Sequence, residues 1–79
     1  MEENIYKKIK DNFNSFAKNL KLERLSRNLT QKQVAEMLNI KTQSYQAYES
    51  GISLPTVENL LKISIIFKIS LDELFEIDT

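Results

Sequence analysis

The fold class this sequence predicts is all-α: a bundle of five helices with an extended first helix. Three observations predict the helices. Apolar residues recur at steps of three and four almost throughout the chain. One glycine and one proline are too few for the turns of a strand-rich fold. Helix-start signatures stand at Thr30, Thr56 and Ser70. Seventy-nine residues make one domain at most, and with no cysteine its support must come from helix packing or a second subunit.

Ile5, Ile9, Phe13, Phe16 and Leu20 share one face of the first helix, which is expected to end near Arg27–Asn28. Asn14–Ser15 offers a break with a fresh N-cap, but one long helix is favoured. The second helix opens with the capping box "TQKQ", Thr30 to Gln33, and turns Val34, Ala35 and Leu38 inward. Asn39 suits the left-handed cap that ends it. The third runs from Lys41 or Thr42 to Ser50, closed by Gly51, with Tyr45 and Tyr48 three apart on one face. The fourth follows Pro55 and Thr56, with Val57, Leu60, Leu61, Ile63, Ser64 and Phe67 along it. "SLDE", Ser70 to Glu73, is a second capping box, and Leu71, Leu74 and Phe75 are expected to be buried behind it.

The net charge is zero, yet residues 1–50 carry nine Lys/Arg against six Asp/Glu, and residues 51–79 carry two against five. A basic front half and an acidic tail make a dipolar molecule, and local field steers a polyanion more than net charge does. The absence of histidine and cysteine argues against a metal site. No nucleophile–base constellation or glycine-rich phosphate loop is present, so an enzyme is not expected, nor a cofactor. No secretory segment or long apolar run appears, so a cytoplasmic protein without membrane contact is expected. With no second domain expected, no small-molecule effector is expected either.

The segment "KTQSYQAYESG", Lys41 to Gly51, is rich in glutamine, hydroxyl and tyrosine residues and poor in aliphatic ones. It suits neither a purely core-filling helix nor a purely solvated one. Preceded by a short helix and a tight turn, it describes a helix-turn-helix unit. The run from Thr30 to Phe75 closely resembles the helix-turn-helix domain of the phage repressor and Cro family, also called the xenobiotic-response-element type. The resemblance covers about residues 15–75. It is carried by Thr30-Gln31, Val34-Ala35, Ile40, the Glu49-x-Gly51 ending, Pro55 and "SLDEL".

The resemblance implies that the third helix is a recognition helix for the major groove of double-stranded DNA. By motif position Thr42, Gln43 and Ala47 look like base-reading residues, with Gln46 beside them. Glutamine can pair with adenine N6 and N7, and threonine or alanine can meet the thymine methyl. Gln31 resembles the family's phosphate-binding glutamine, at a helix N-terminus that favours an anion. Lys41, Ser44 and the backbone N–H of Gly51 are further phosphate candidates. Arg24 and Glu49 match the family's structural ion pair. Departures include Asn28 and Asn39 for glycine, Glu23 for an apolar residue and Ser64 for alanine. Leu22 and Leu25 lie off the usual apolar stripe.

The expected organisation is an N-terminal helical extension over residues 1–14 and a DNA-binding domain over residues 15–77. The expected function is a sequence-specific double-stranded DNA-binding transcriptional regulator, a repressor-type homodimer on a two-fold-related site. Dimerisation is expected through Ile66, Phe75 and Ile77, or through the N-terminal stripe. The alternative is a protein-interaction module, such as an antitoxin or immunity component.

Overall fold

Helix α1 (Glu2–Ser26) passes through Asn14 and Ser15 without a break. It belongs to a computed structural model that describes residues 2–77; Met1 of the expected extension lies outside them. After α1 come α2 (Gln31–Leu38), α3 (Thr42–Ser50), α4 (Val57–Phe67) and α5 (Leu71–Phe75), with no strand among the described residues. Twenty-five residues at about 1.5 Å each make α1 about 37 Å long, which accounts for most of the molecule's 41 Å dimension.

The element boundaries follow from local chemistry. Thr30 accepts the Gln33 N–H while the Gln33 side chain accepts the Thr30 N–H, and Ser70 and Glu73 repeat the arrangement at α5. Thr56 caps α4 by accepting from the Asn59 N–H. Asn28, Asn39 and Gly51 take positive φ at 56°, 57° and 80° and end α1, α2 and α3. At Gly51 the missing Cβ removes the steric cost of that conformation, which Lys68 and Glu76 bear where they end α4 and α5 at φ 53° and 55°.

Phe16, Leu20, Val34, Leu38, Tyr45, Ile63, Phe67 and Leu74 meet in one buried core. Each such side chain removed from water contributes about 1.5–3 kcal/mol. Both tyrosines face this core from α3. The Phe75 ring stacks on Phe16 at 4.6 Å and meets Phe13 edge-on at 6.4 Å, which docks α5 on the middle of α1. Asn12 and Asn19, two turns apart on α1, donate their amides to the carbonyls of Phe75 at 2.8 Å and Leu74 at 2.9 Å. These are C-terminal carbonyls that α5 cannot satisfy within itself.

On two helices only part of the apolar pattern goes inside. On α4 the inner stripe is Asn59, Ile63 and Phe67. Val57 and Leu61 point outward, 73% and 51% exposed, and Ile65 joins them at 75%. The steps of four from Phe67 back to Asn59 set the inner face, and Val57, Leu61 and Ile65 then fall opposite. Asn59 is tolerated inside because its amide donates to the Tyr48 hydroxyl at 3.2 Å. On α5 only Leu74 is fully buried; Leu71 and Phe75 are half-buried, because five residues offer one inward position.

The family departures take structural roles. Glu23 pairs with Arg27 at 2.7 Å. Arg27 donates to the Phe67 carbonyl at 2.5 Å and lies 4.8 Å over the Phe67 ring, tying the end of α1 to the end of α4. The Ser64 hydroxyl donates to the Ile69 carbonyl at 2.6 Å and closes the turn into α5. Leu22 and Leu25 are exposed.

Candidate nucleic-acid interface

Asn39, in the left-handed conformation, turns the chain from α2 into α3, and the Ile40 N–H donates back to the Ala35 carbonyl at 3.0 Å. Because Tyr45 and Tyr48 hold the inner face of α3, the residues between and beside them must face away from the core. Gln43 and Gln46 are exposed; Thr42 and Ala47 are half-buried. Gln43, Gln46 and Ala47 line one open groove together with Gln31 of α2 and Lys21 of α1. Thr42, Lys41 and Ser44 stand at the N-terminal end of α3, outside that groove. Lys41 is its N-cap and makes no side-chain capping bond, so the first-turn N–H groups are left without a side-chain acceptor from the cap.

Gly51 departs from its expected role. Its N–H already donates into the α3 terminus, towards the Ala47 and Tyr48 carbonyls, so that amide is not free for a phosphate. Its contribution is the turn itself.

Arg24 and Glu49 hold α3 against α1. Arg24 Nε donates to Glu49 Oε2 at 2.6 Å and Nη2 donates to Oε1 at 3.0 Å, while Nη1 donates to the Leu29 carbonyl at 2.9 Å. The fork therefore joins α1, the turn before α2 and the end of α3. Gln31 Nε2 donates to Glu49 Oε1 at 3.2 Å, and Gln46 Nε2 donates to Gln31 Oε1 at 3.2 Å. A hydrogen-bonded chain thus runs from a buried ion pair out to the exposed face of α3. Gln43 makes no side-chain hydrogen bond among the described residues and stands beside that tethered glutamine.

Sequence reasoning missed this linkage and missed Lys21. A readable signal was present for the lysine, which lies one turn before Arg24 on the same face of α1. The contact between Gln31 and Gln46 had none, because it depends on how α2 and α3 cross.

Burial pushes the Glu49 carboxyl up, but hydrogen bonds from Arg24 and Gln31, with the Arg24 charge, outweigh it and hold the group below its ordinary 4.5. Folding is then favoured by this group above about pH 4.5, its value without those partners, and the benefit is lost as pH falls through the lower folded value. Denaturant unfolding from pH 7 to pH 3 is expected to show that loss, and Glu49→Gln is expected to flatten it. A variant with the same acid dependence as the parent would sink the assignment. The Tyr45 hydroxyl lies buried near the pair without a hydrogen-bond partner among the described residues, and burial raises its pKa.

No group of three or more His, Cys, Asp or Glu gathers as a metal site among the described residues. Among the described residues no helix is long and apolar enough to cross a membrane.

Two short helices joined by a tight turn, the second braced by α1 and exposing glutamines, define a helix-turn-helix protein. Residues 20–74 match the HTH_3 Helix-turn-helix family, and the chain belongs to that family. Over 52 residues it is 50% identical to the cryptic phage CTXphi transcriptional repressor RstR of Vibrio cholerae, covering 66% of this chain and 46% of the relative. It is 41% identical over 61 residues to the uncharacterized HTH-type transcriptional regulator YqaE of Bacillus subtilis, covering 77% of this chain and 53% of that protein. It is 39% identical over 59 residues to the HTH-type transcriptional activator BcrR of Enterococcus faecalis, covering 75% and 29%. The chain thus spans about half or less of the length of these curated relatives. No solved structure matches it.

Proposed function

We propose that this chain is a sequence-specific double-stranded DNA-binding transcriptional regulator that acts as a homodimer, in the cytoplasm. The observation that carries the reading is the outward face of α3, where Gln43 is exposed beside Ala47 and beside a Gln46 tethered through Gln31 to Glu49. A major-groove reader needs donors and acceptors held on a rigid rod, and an amide side chain offers both. In this reading Thr42, Gln43 and Ala47 meet base edges. Gln46 either joins them or stays with Gln31. Gln31, Lys41 and Ser44 meet the phosphate backbone, and residues 15–77 form the binding domain with residues 1–14 as its helical extension. The regulator, repressor and activator names of the relatives support the same reading.

A second copy supplies the recognition helix for the second half-site of a two-fold-related operator. Of the expected contacts, Ile66 and Phe75 are half-buried against the protein's own core, while Ile77 is 44% exposed. The outward stripe Val57, Leu61 and Ile65 is the better surface. Antiparallel pairing of two α4 helices about Leu61 sets Val57 against Ile65 and brings Glu58 near Lys62, so the surface is self-complementary.

The test is binding to mixed-sequence duplexes as salt is raised. Affinity is expected to fall linearly on a log–log plot, with a slope of about −0.9 for each phosphate neutralised. A flat response, or no binding at low salt, would instead favour the protein-interaction reading, which draws on exposed Ile5 and Ile9 of α1. Sedimentation showing only monomer at high concentration, with and without duplex, would remove the dimer.

A further inference from the structure

Lys7, Lys10, Asn14, Ala17, Lys21 and Arg24 recur at steps of three and four, so they form one edge of α1. Four contacts fix where the C-terminal part of that edge points. Arg24 grips Glu49 of α3. Lys21 lines the groove that contains Gln43 and Gln46. A Cβ on Gly51 would lie 4.0 Å from that of Ala17. Asn14 lines a second depression with Gly51, Ile52 and Ser53. Since α1 is one unbroken helix, Lys10 and Lys7 continue the same edge past the end of α3.

We propose that the Lys7–Lys10–Lys21 edge of α1 is a phosphate-binding strip that prolongs the DNA interface beyond the family-matching segment, residues 20–74. All three lysines are exposed, and neither ion pair found among the described residues engages them. Lys7 and Lys21 stand about 21 Å apart along the axis at 1.5 Å per residue, a span that equals the rise of roughly six nucleotides along the duplex axis at 3.4 Å each. Lysine is a flexible point charge that follows a backbone without reading bases. The strip therefore adds affinity and salt dependence but no sequence preference. Lys8 lies about 160° round the helix from Lys10, so it shares their charge but not their edge.

This inference rests on the duplex-binding reading, and one set of titrations separates the two. Lys7→Gln and Lys10→Gln are each expected to reduce the steepness of the salt dependence by about 0.9 per bound chain. The ranking of preferred sequences and the thermal unfolding curve should not change. Lys8→Gln, with the same loss of charge, is expected to leave the slope where it was. A parent chain that binds duplex with a slope insensitive to Lys7 and Lys10 overturns the strip alone. So does a Lys8→Gln effect equal to theirs, which would reduce the matter to net charge. A parent chain that binds no duplex overturns both readings.

Discussion

Replacing Arg24 with alanine is expected to lower the unfolding free energy by about 3–5 kcal/mol, read from denaturant midpoints at neutral pH. The Arg24 and Glu49 side chains are only 9% and 4% exposed, so the change strands a carboxylate away from water. It also removes the Nη1 bond to the Leu29 carbonyl, which helps hold the turn before α2. Arg24→Lys keeps the charge but cannot reproduce a planar fork serving two oxygens and a carbonyl at once, so an intermediate loss is expected. Removing both charges together, as Arg24→Leu with Glu49→Leu, should cost less than Arg24→Ala, because no buried ion is then left alone. A loss within about 1 kcal/mol for Arg24→Ala would mean that the pair behaves as a solvent-screened surface contact.

Gln43→Ala is expected to relax preference at one base pair of each half-site by about 1–3 kcal/mol, with the fold unchanged. Gln43 is exposed and contributes nothing to the core, so a folding defect is not expected. Its neighbour Gln46 differs, because its amide is committed to Gln31. Gln46→Ala should therefore disturb the placement of Gln31 and Glu49 as well as any base contact. Selection of bound sites from a random pool, run with parent and variant, distinguishes the outcomes. Uniform weakening over all sequences by Gln43→Ala would assign that side chain to the backbone instead of a base.

Element boundaries were legible because their determinants are local. A capping box such as Thr30–Gln33 or Ser70–Glu73 is complete within four residues, and Asn28, Asn39 and Gly51 carry their positive φ alone. Tyr45 and Tyr48 were legible as inward because they share one face and stand where the resembled family keeps buried apolar residues, and both are buried. The outward α4 stripe was not legible. Val57, Leu61 and Ile65 are as apolar as Ile63 and Phe67, and only docking against the other helices decides which face goes inside. Asn12 and Asn19 were equally opaque, since the carbonyls they cap belong to a helix more than fifty residues away.

By itself the sequence determined five helices, how the second, fourth and fifth start, near where the first three stop, and which short helix displays glutamines, because those properties depend on neighbours within one or two turns. The stops of α4 and α5 at Lys68 and Glu76 carry no such local signal. Tertiary packing alone decided that Gln46 reaches Gln31, that Asn59 is buried on Tyr48, and that Lys21 shares a groove with Gln43. Each of those depends on the relative placement of rigid rods, and residues far apart in the chain carry no local record of where another helix will lie.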